Sequence, residues 1–181
     1  MKVILLCGYR TEDSSEEALG LERDEDGVTL IDRRIQQLGA LGLEIICVLS
    51  GNSADRQLRH CTRIANVELA YDDDAETCLA SNLRAGLAAV EDDGCFVLPI
   101  EIPCPPSETW ENLKELWRKV RFENEYAALQ LAESEGALCQ YGFPLLITQQ
   151  GNQVLRDTPQ IRSLVDARLK YLRLAPQAKP I

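Results

Sequence analysis

The stretch Leu98-Pro99-Ile100-Glu101-Ile102-Pro103-Cys104-Pro105-Pro106 holds one carboxylate between prolines that fix the local backbone, directly after the apolar run Cys95-Phe96-Val97-Leu98. A rigidly held carboxylate at the end of a buried strand is what a Mg²⁺ site for nucleoside phosphates uses, so Glu101 is the candidate metal ligand and catalytic group. The same stretch also reads as a stiff loop with Glu101 directed to solvent. A second candidate is the turn after the opening run Val3-Ile4-Leu5-Leu6-Cys7. There Gly8 permits close backbone approach, and Arg10 offers a charge. Ser50 and Ser53 have no histidine near them in sequence, and the only one, His60, lies beside Arg59 on an expected surface helix. A serine or cysteine nucleophile needs a positioned base, so hydrolase chemistry is disfavoured. The seven cysteines, at 7, 47, 61, 78, 95, 104 and 139, include no C-x-x-C pair, which argues against zinc and iron–sulfur ligation. Cys7, Cys47 and Cys95 lie inside apolar runs as small hydrophobes, and Cys104 is the most exposed-looking thiol.

Nineteen Lys and Arg face twenty-nine Asp and Glu, a formal charge of −10 over 181 residues. Phosphate backbones and anionic lipid surfaces both need a basic face, so nucleic acid and membrane surfaces are disfavoured partners. No run of eighteen or more apolar residues exists to cross a bilayer. The opening MKVILLCGYR is too short for a signal segment and lacks a small-residue cleavage site, which points to a cytoplasmic chain. The odd cysteine count fits a reducing compartment.

The elements that must carry these candidates follow from the apolar pattern. Continuous runs at 3–7, 44–49 and 95–98 predict strands buried on both faces, with a weaker strand at 67–70. Thr29 caps an expected helix over 30–41, a short helix is expected over 54–61, and Asp72-Asp73-Asp74 would open a helix over 75–90. Ser107 opens an amphipathic helix to Val120, whose Trp110 and Trp117 share a face suited to core or to a subunit interface. Segments 126–131 and 137–148 read as extended, and 158–170 as a last helix. Alternating strands and helices predict a three-layer α/β/α sandwich on a mostly parallel sheet, residues 1–181 forming one domain. The segment from Thr11 to Asp26 is acidic with few apolar anchors beyond Leu19 and Leu21, which predicts a mobile loop.

Four stretches, in order, carry a family resemblance. They are MKVILLCGYR…LIDRRI, Ala80-Ser81-Asn82-Leu83-Arg84-Ala85-Gly86-Leu87, Leu98-Pro99-Ile100-Glu101-Ile102-Pro103, and Tyr141-Gly142-Phe143-Pro144-Leu145-Leu146-Ile147. The chain resembles the MobA-like NTP transferases, the group holding molybdenum-cofactor guanylyl- and cytidylyltransferases. That pattern runs from an apolar strand through a glycine-rich loop with an Arg and a Lys to a helix read as L-L-E/D-R-x-I. It continues through S-L-x-A-G-L, L-P-x-D-x-P and G-H-P-V/L-L-F. The resemblance implies a nucleotidyltransferase-like Rossmann-type sheet and a nucleotide ligand. It also implies Mg²⁺ at Glu101, nucleotide contacts at Cys7, Gly8, Arg10, Ser81 and Arg84, and leaves a homodimer open.

The departures carry as much. Of the family's loop glycines only Gly8 remains, and the family's Arg and Lys fall near Glu12 and near Glu16 or Glu17. Those cations would neutralise phosphate charge, so carboxylates there reverse the local sign. Two like charges about 4 Å apart repel by roughly 1 kcal/mol in water and by more in a partly desolvated pocket. The metal aspartate becomes the longer Glu101, and the His of G-H-P becomes Phe143. Asp157-Thr158-Pro159 reads as the start of a helix. These substitutions point to a weak or inactive member serving as a binding or regulatory module. The alternative is an active Mg²⁺-dependent transferase using CTP or GTP with a phosphorylated acceptor.

Overall fold

The computed structural model describes residues 1–8, 19–50, 53–73, 79–90, 94–120, 128–129 and 143–157. The opening apolar run forms β1 (Lys2–Leu6), and EIICVLS forms β2 (Glu44–Ser50). The two pair in parallel, with Leu5 opposite Cys47 and Leu6 opposite Val48. β3 (Glu68–Asp72) lies outside β2, and β4 (Cys95–Pro99) lies on the other side of β1, both parallel to their neighbours. β5 (Ala128–Leu129) and β6 (Leu145–Ile147) complete a six-stranded sheet of order β3-β2-β1-β4-β6-β5, with β6 antiparallel to both neighbours. The strands expected at 3, 44 and 95 are therefore adjacent and parallel.

Pro99 closes β4 without breaking the ladder. The Ile100 N–H reaches the Leu6 carbonyl at 3.0 Å. Strand amides alternate sides, so the donor that Pro99 lacks would face β6, whose pairing already ended at Val97 and Leu145.

Helices cover both faces. α1 (Leu30–Ala40) starts as expected at Thr29, whose Oγ1 accepts the Asp32 N–H at 3.2 Å. α2 (Ala54–His60) ends at Cys61, whose thiol lies 3.4 Å from Thr29 Oγ1. α4 (Ser107–Val120) reaches α1 through Lys114 Nζ on the Leu41 carbonyl and packs on β4, the Trp110 and Phe96 rings meeting edge-on at 5.5 Å. Such an aromatic pair adds about 0.5–1.5 kcal/mol beyond its buried area. Trp110 and Trp117 are both buried in the chain's own core, which settles their helix face as core.

On the opposite face lies α3 (Leu79–Ala88), so close that a Cβ at Gly86 would meet Ile4 and would stand 2.9 Å from Val48 Cγ2. α5 (Gln149–Asp157) packs beside α3. The result is a three-layer α/β/α sandwich on a mostly parallel sheet.

Two local expectations differ from the structure. Asp72 does not open a helix; it is the last residue of β3, opposite Ser50. Asp157 does not start a helix; it lies within α5, which already runs from Gln149 with Thr148 accepting the Gly151 N–H at 3.1 Å. The helix expected at 158–170 lies outside the described residues. Of the segment expected to be mobile, residues 11–18 lie outside the described residues; at its far end Asp24 Oδ1 takes the amides of Asp26 and Val28, and the Arg33 guanidinium bridges Asp24 and Asp26. α1 thus returns a cation to the acid run, a pairing that composition does not reveal.

Candidate functional site

Four parallel strands deliver their carboxyl ends to one edge of the sheet, the place where open parallel sheets bind ligands. Cys7 and Gly8 follow β1, Ser50 ends β2, Asp72 ends β3, and Glu101 comes just after β4.

The turn at Cys7 and Gly8 is held from both faces of the sheet. The Cys7 N–H extends the ladder to the Val48 carbonyl at 3.0 Å. The Cys7 carbonyl accepts Gln57 Nε2 at 3.0 Å, and the Gly8 N–H donates to Asn82 Oδ1 at 2.9 Å. Asn82 Nδ2 in turn donates to Asp72 Oδ2, which also accepts the Ser81 hydroxyl at 2.6 Å. A carboxylate only accepts, so the Asn82 carboxamide must turn its nitrogen to Asp72 and its oxygen to Gly8. A Cβ at position 8 would run into the Ser50 backbone nitrogen and stand 2.8 Å from both Asn82 Oδ1 and the Leu49 carbonyl carbon. Close packing of β1, β2 and α3 therefore requires glycine here, a reason separate from phosphate approach.

Glu101 follows the Ile100 amide that bonds to β1, so it stands beside the exit of that strand. The residue as a whole is exposed, yet desolvation pushes its carboxyl pKa above the ordinary range. The Cys7 thiol is raised well above its usual pKa by burial and by Cys47, whose sulfur lies 3.4 Å away. The bond from the Ile100 N–H to the Leu6 carbonyl places Glu101 and Cys7 at one strand-end region, and Glu101 adds to the same shift. Burial also raises the Cys61 and Cys104 thiols. These thiols are protonated at neutral pH and poorly nucleophilic.

The structure thus brings Cys7, Gly8, Ser81 and Glu101 to one edge. Ser81 is buried with its hydroxyl on Asp72, and Arg84 sits half-buried on α3. Arg10 lies outside the described residues. Sequence reasoning missed Asp72, Asn82 and Gln57 as parts of this region. The available signal was chemical: Asn82 falls among the buried apolar positions of α3, and a buried polar side chain implies partners.

Among the described residues, no group of three or more His, Cys, Asp or Glu is placed to hold a metal ion. Mg²⁺ is commonly bound by one or two carboxylates, with water and substrate phosphates filling its other positions. Among the described residues, Glu101 alone therefore fits an ion that arrives with a nucleotide better than a resident one.

The family model described as the MobA-like NTP transferase domain matches residues 21–168. The chain belongs to this family. Several solved structures share its fold. Rv0371c of Mycobacterium tuberculosis superposes with a TM-score of 0.67 at 15% identity, covering 97% of this chain and 82% of that one. A nucleotidyl transferase of Methanothermobacter thermautotroptrophicus gives 0.65 at 16% identity, covering 96% and 81%. Rv0371c in complex with manganese gives 0.60 at 16% identity, covering 94% and 79%. Identities this low show the shared fold alone. A search of the curated proteins finds no match. Among the described residues of this family member, no helix is long and apolar enough to cross a membrane.

Proposed function

We propose that residues 1–181 form one MobA-like nucleotide-binding domain that takes nucleoside triphosphates weakly and serves as a binding or regulatory module. The observation that carries this reading is the Gly8 amide. In a phosphate loop, backbone N–H groups cradle the anion. Here the N–H of the one remaining glycine is already given to Asn82. The residues at the expected cation positions, Glu12 and Glu16 or Glu17, add negative charge where a triphosphate needs positive charge. The second reading is an active Mg²⁺-dependent transferase, using CTP or GTP and a phosphorylated small-molecule acceptor. The place of Glu101 at the exit of β4 favours it. In that case Mg²⁺ carried in by the nucleotide would supply charge neutralisation at the phosphates, and Glu101 would hold it.

Calorimetric titration with CTP and with GTP in excess Mg²⁺ separates the two readings. The module reading expects dissociation constants of about 1 mM or weaker, a binding free energy of roughly −4 kcal/mol or less in magnitude. Micromolar binding, together with pyrophosphate release on adding a phosphorylated acceptor, would establish the transferase instead.

A further inference from the structure

We propose that the groove between α1 and the segment joining α2 to β3 is a second small-molecule site, which takes a monocarboxylate with an apolar body and holds its carboxylate on Arg63. The inference does not depend on the nucleotide-binding reading above.

The groove lies at the opposite edge of the sheet from Gly8, where β2 and β3 begin at Glu44 and Glu68. Its volume is about 590 Å³, inside the range of roughly 300–1,000 Å³ for small-ligand pockets. Ile35, Leu43 and Ile45, all buried, give it an apolar floor together with Val67. Gln36 and Asn66 are exposed at its rim.

Gly39 and Ala40, in the last turn of α1, leave the space open. A Cβ at Gly39 would meet nothing within 4 Å. Gly42 has a left-handed φ of 68°, and Gly8 and Gly86 are held by close packing, but neither reason applies to Gly39. Glycine is less favourable than alanine inside a helix, so its presence here costs stability that the fold does not require. What it provides is room in the groove.

The charge of the groove follows from the pleat. Val48 faces α3, because a Cβ at Gly86 would stand against its Cγ2. Alternate residues of a strand share a face, so Glu44 turns with Val48 toward α3, and Glu68 follows through its pairing with Ile46. Glu68 is also paired with Lys2 at 2.7 Å. Arg63 is therefore the charged residue left to the α1 side of the groove. Its N–H is held by Asp32 Oδ1 at 2.7 Å, and its carbonyl accepts the Asn66 N–H at 3.0 Å. Among the described residues its guanidinium has no hydrogen-bond or ion-pair partner. A cation beside an apolar floor matches an anion on an apolar body. The formal charge of −10 and the two carboxylates bordering the groove favour a monoanion over a phosphate dianion.

The test titrates the full ¹⁵N-labelled chain and the variants Arg63→Gln and Gly39→Leu with octanoate, octan-1-ol, acetate and octyl phosphate. Both substitutions fall at exposed positions and leave the Arg63 N–H on Asp32, so the fold is retained, which urea midpoints check. The amides of Gly39, Asn66 and Val67 report the groove, and the Gly8 amide reports the other edge of the sheet. Octanoate is expected to bind the parent at about 1 mM or tighter, moving the groove amides and leaving Gly8 in place. Octan-1-ol, acetate and octyl phosphate are each expected to bind more weakly. Arg63→Gln should weaken octanoate about 10-fold, by loss of a charged hydrogen-bond donor. Gly39→Leu should weaken it at least about 10-fold, because the new side chain fills the space.

Groove amides that octanoate leaves unmoved overturn the site, as does parental octanoate affinity in Gly39→Leu. Parental affinity in Arg63→Gln overturns the role of the guanidinium. Octan-1-ol or octyl phosphate binding as tightly as octanoate overturns the monocarboxylate, and acetate binding as tightly overturns the apolar floor.

Discussion

The carboxylate of Asp32, in the first turn of α1, accepts the backbone N–H of Arg63 at 2.7 Å. Its other oxygen takes the Thr62 amide at 2.8 Å and the Thr62 hydroxyl at 3.1 Å. One buried side chain thereby ties the connection between α2 and β3 to the helix beside it, where the α1 dipole also favours a negative charge. Asp32→Ala leaves these donors without their acceptor and is expected to cost about 2–4 kcal/mol. The measurement is urea unfolding, with a lower midpoint at an unchanged slope. A loss below about 1 kcal/mol would show that the tie contributes little.

Gly8→Ala inserts a methyl group between the Ser50 backbone nitrogen, the Leu49 carbonyl carbon and Asn82 Oδ1. Two of these three contacts are backbone and cannot swing aside. The expected loss is about 2–3 kcal/mol in equilibrium unfolding, from overpacking and displacement of the Asn82 bond. The control is Gly39→Ala, where a Cβ would meet nothing within 4 Å. Alanine in this last turn of α1 is expected to stabilise by up to roughly 0.5–1 kcal/mol.

The Arg33 guanidinium donates to Asp24 and holds its carboxyl pKa below the usual range. The folded value is depressed, so the contribution is present above the ordinary value of about 3.9 and is lost as pH falls through the folded value. Arg33→Ala should move the Asp24 titration, followed by carboxyl NMR, upward, while the Asp26 and Val28 amides continue to hold it down. The pair is exposed, so melting temperatures at neutral pH should fall only slightly and converge with the parent in acid. An unmoved Asp24 titration would remove Arg33 as the cause.

Glu101 shifts the other way: desolvation raises its pKa. The folded chain then holds the proton more tightly than the unfolded one, so stability declines as pH rises from the ordinary value of about 4.3 through the raised one. Glu101→Gln should melt at the parental temperature well below that window and above it at neutral pH. Identical melting curves at every pH would mean that the carboxylate pays no desolvation cost. The same variant should lose whatever Mg²⁺-dependent nucleotide binding the parent shows.

Much of the frame was legible in the chain itself. Continuous apolar runs located β1, β2 and β4, because strands covered on both faces bury every residue. Thr29 announced the start of α1, because capping is satisfied within a few residues along the chain. The order of short motifs carried the family. The site itself was legible only in part: Gly8, Ser81 and Glu101 were marked as residues, but not what their atoms bind. Ser81 hydrogen-bonds to Asp72, nine residues before it, Gly8 to Asn82, 74 residues on, and the Cys7 carbonyl to Gln57, 50 residues on. Periodicity describes neighbours along one helix or strand, whereas these bonds join groups that meet only after β1, β3, α2 and α3 have packed. Local sequence therefore determined the elements, the family and the sign of the charge in the acidic loop. Tertiary structure alone decided that the Gly8 amide faces a protein carboxamide, because a buried peptide group must find its partner wherever folding brings one within about 3 Å.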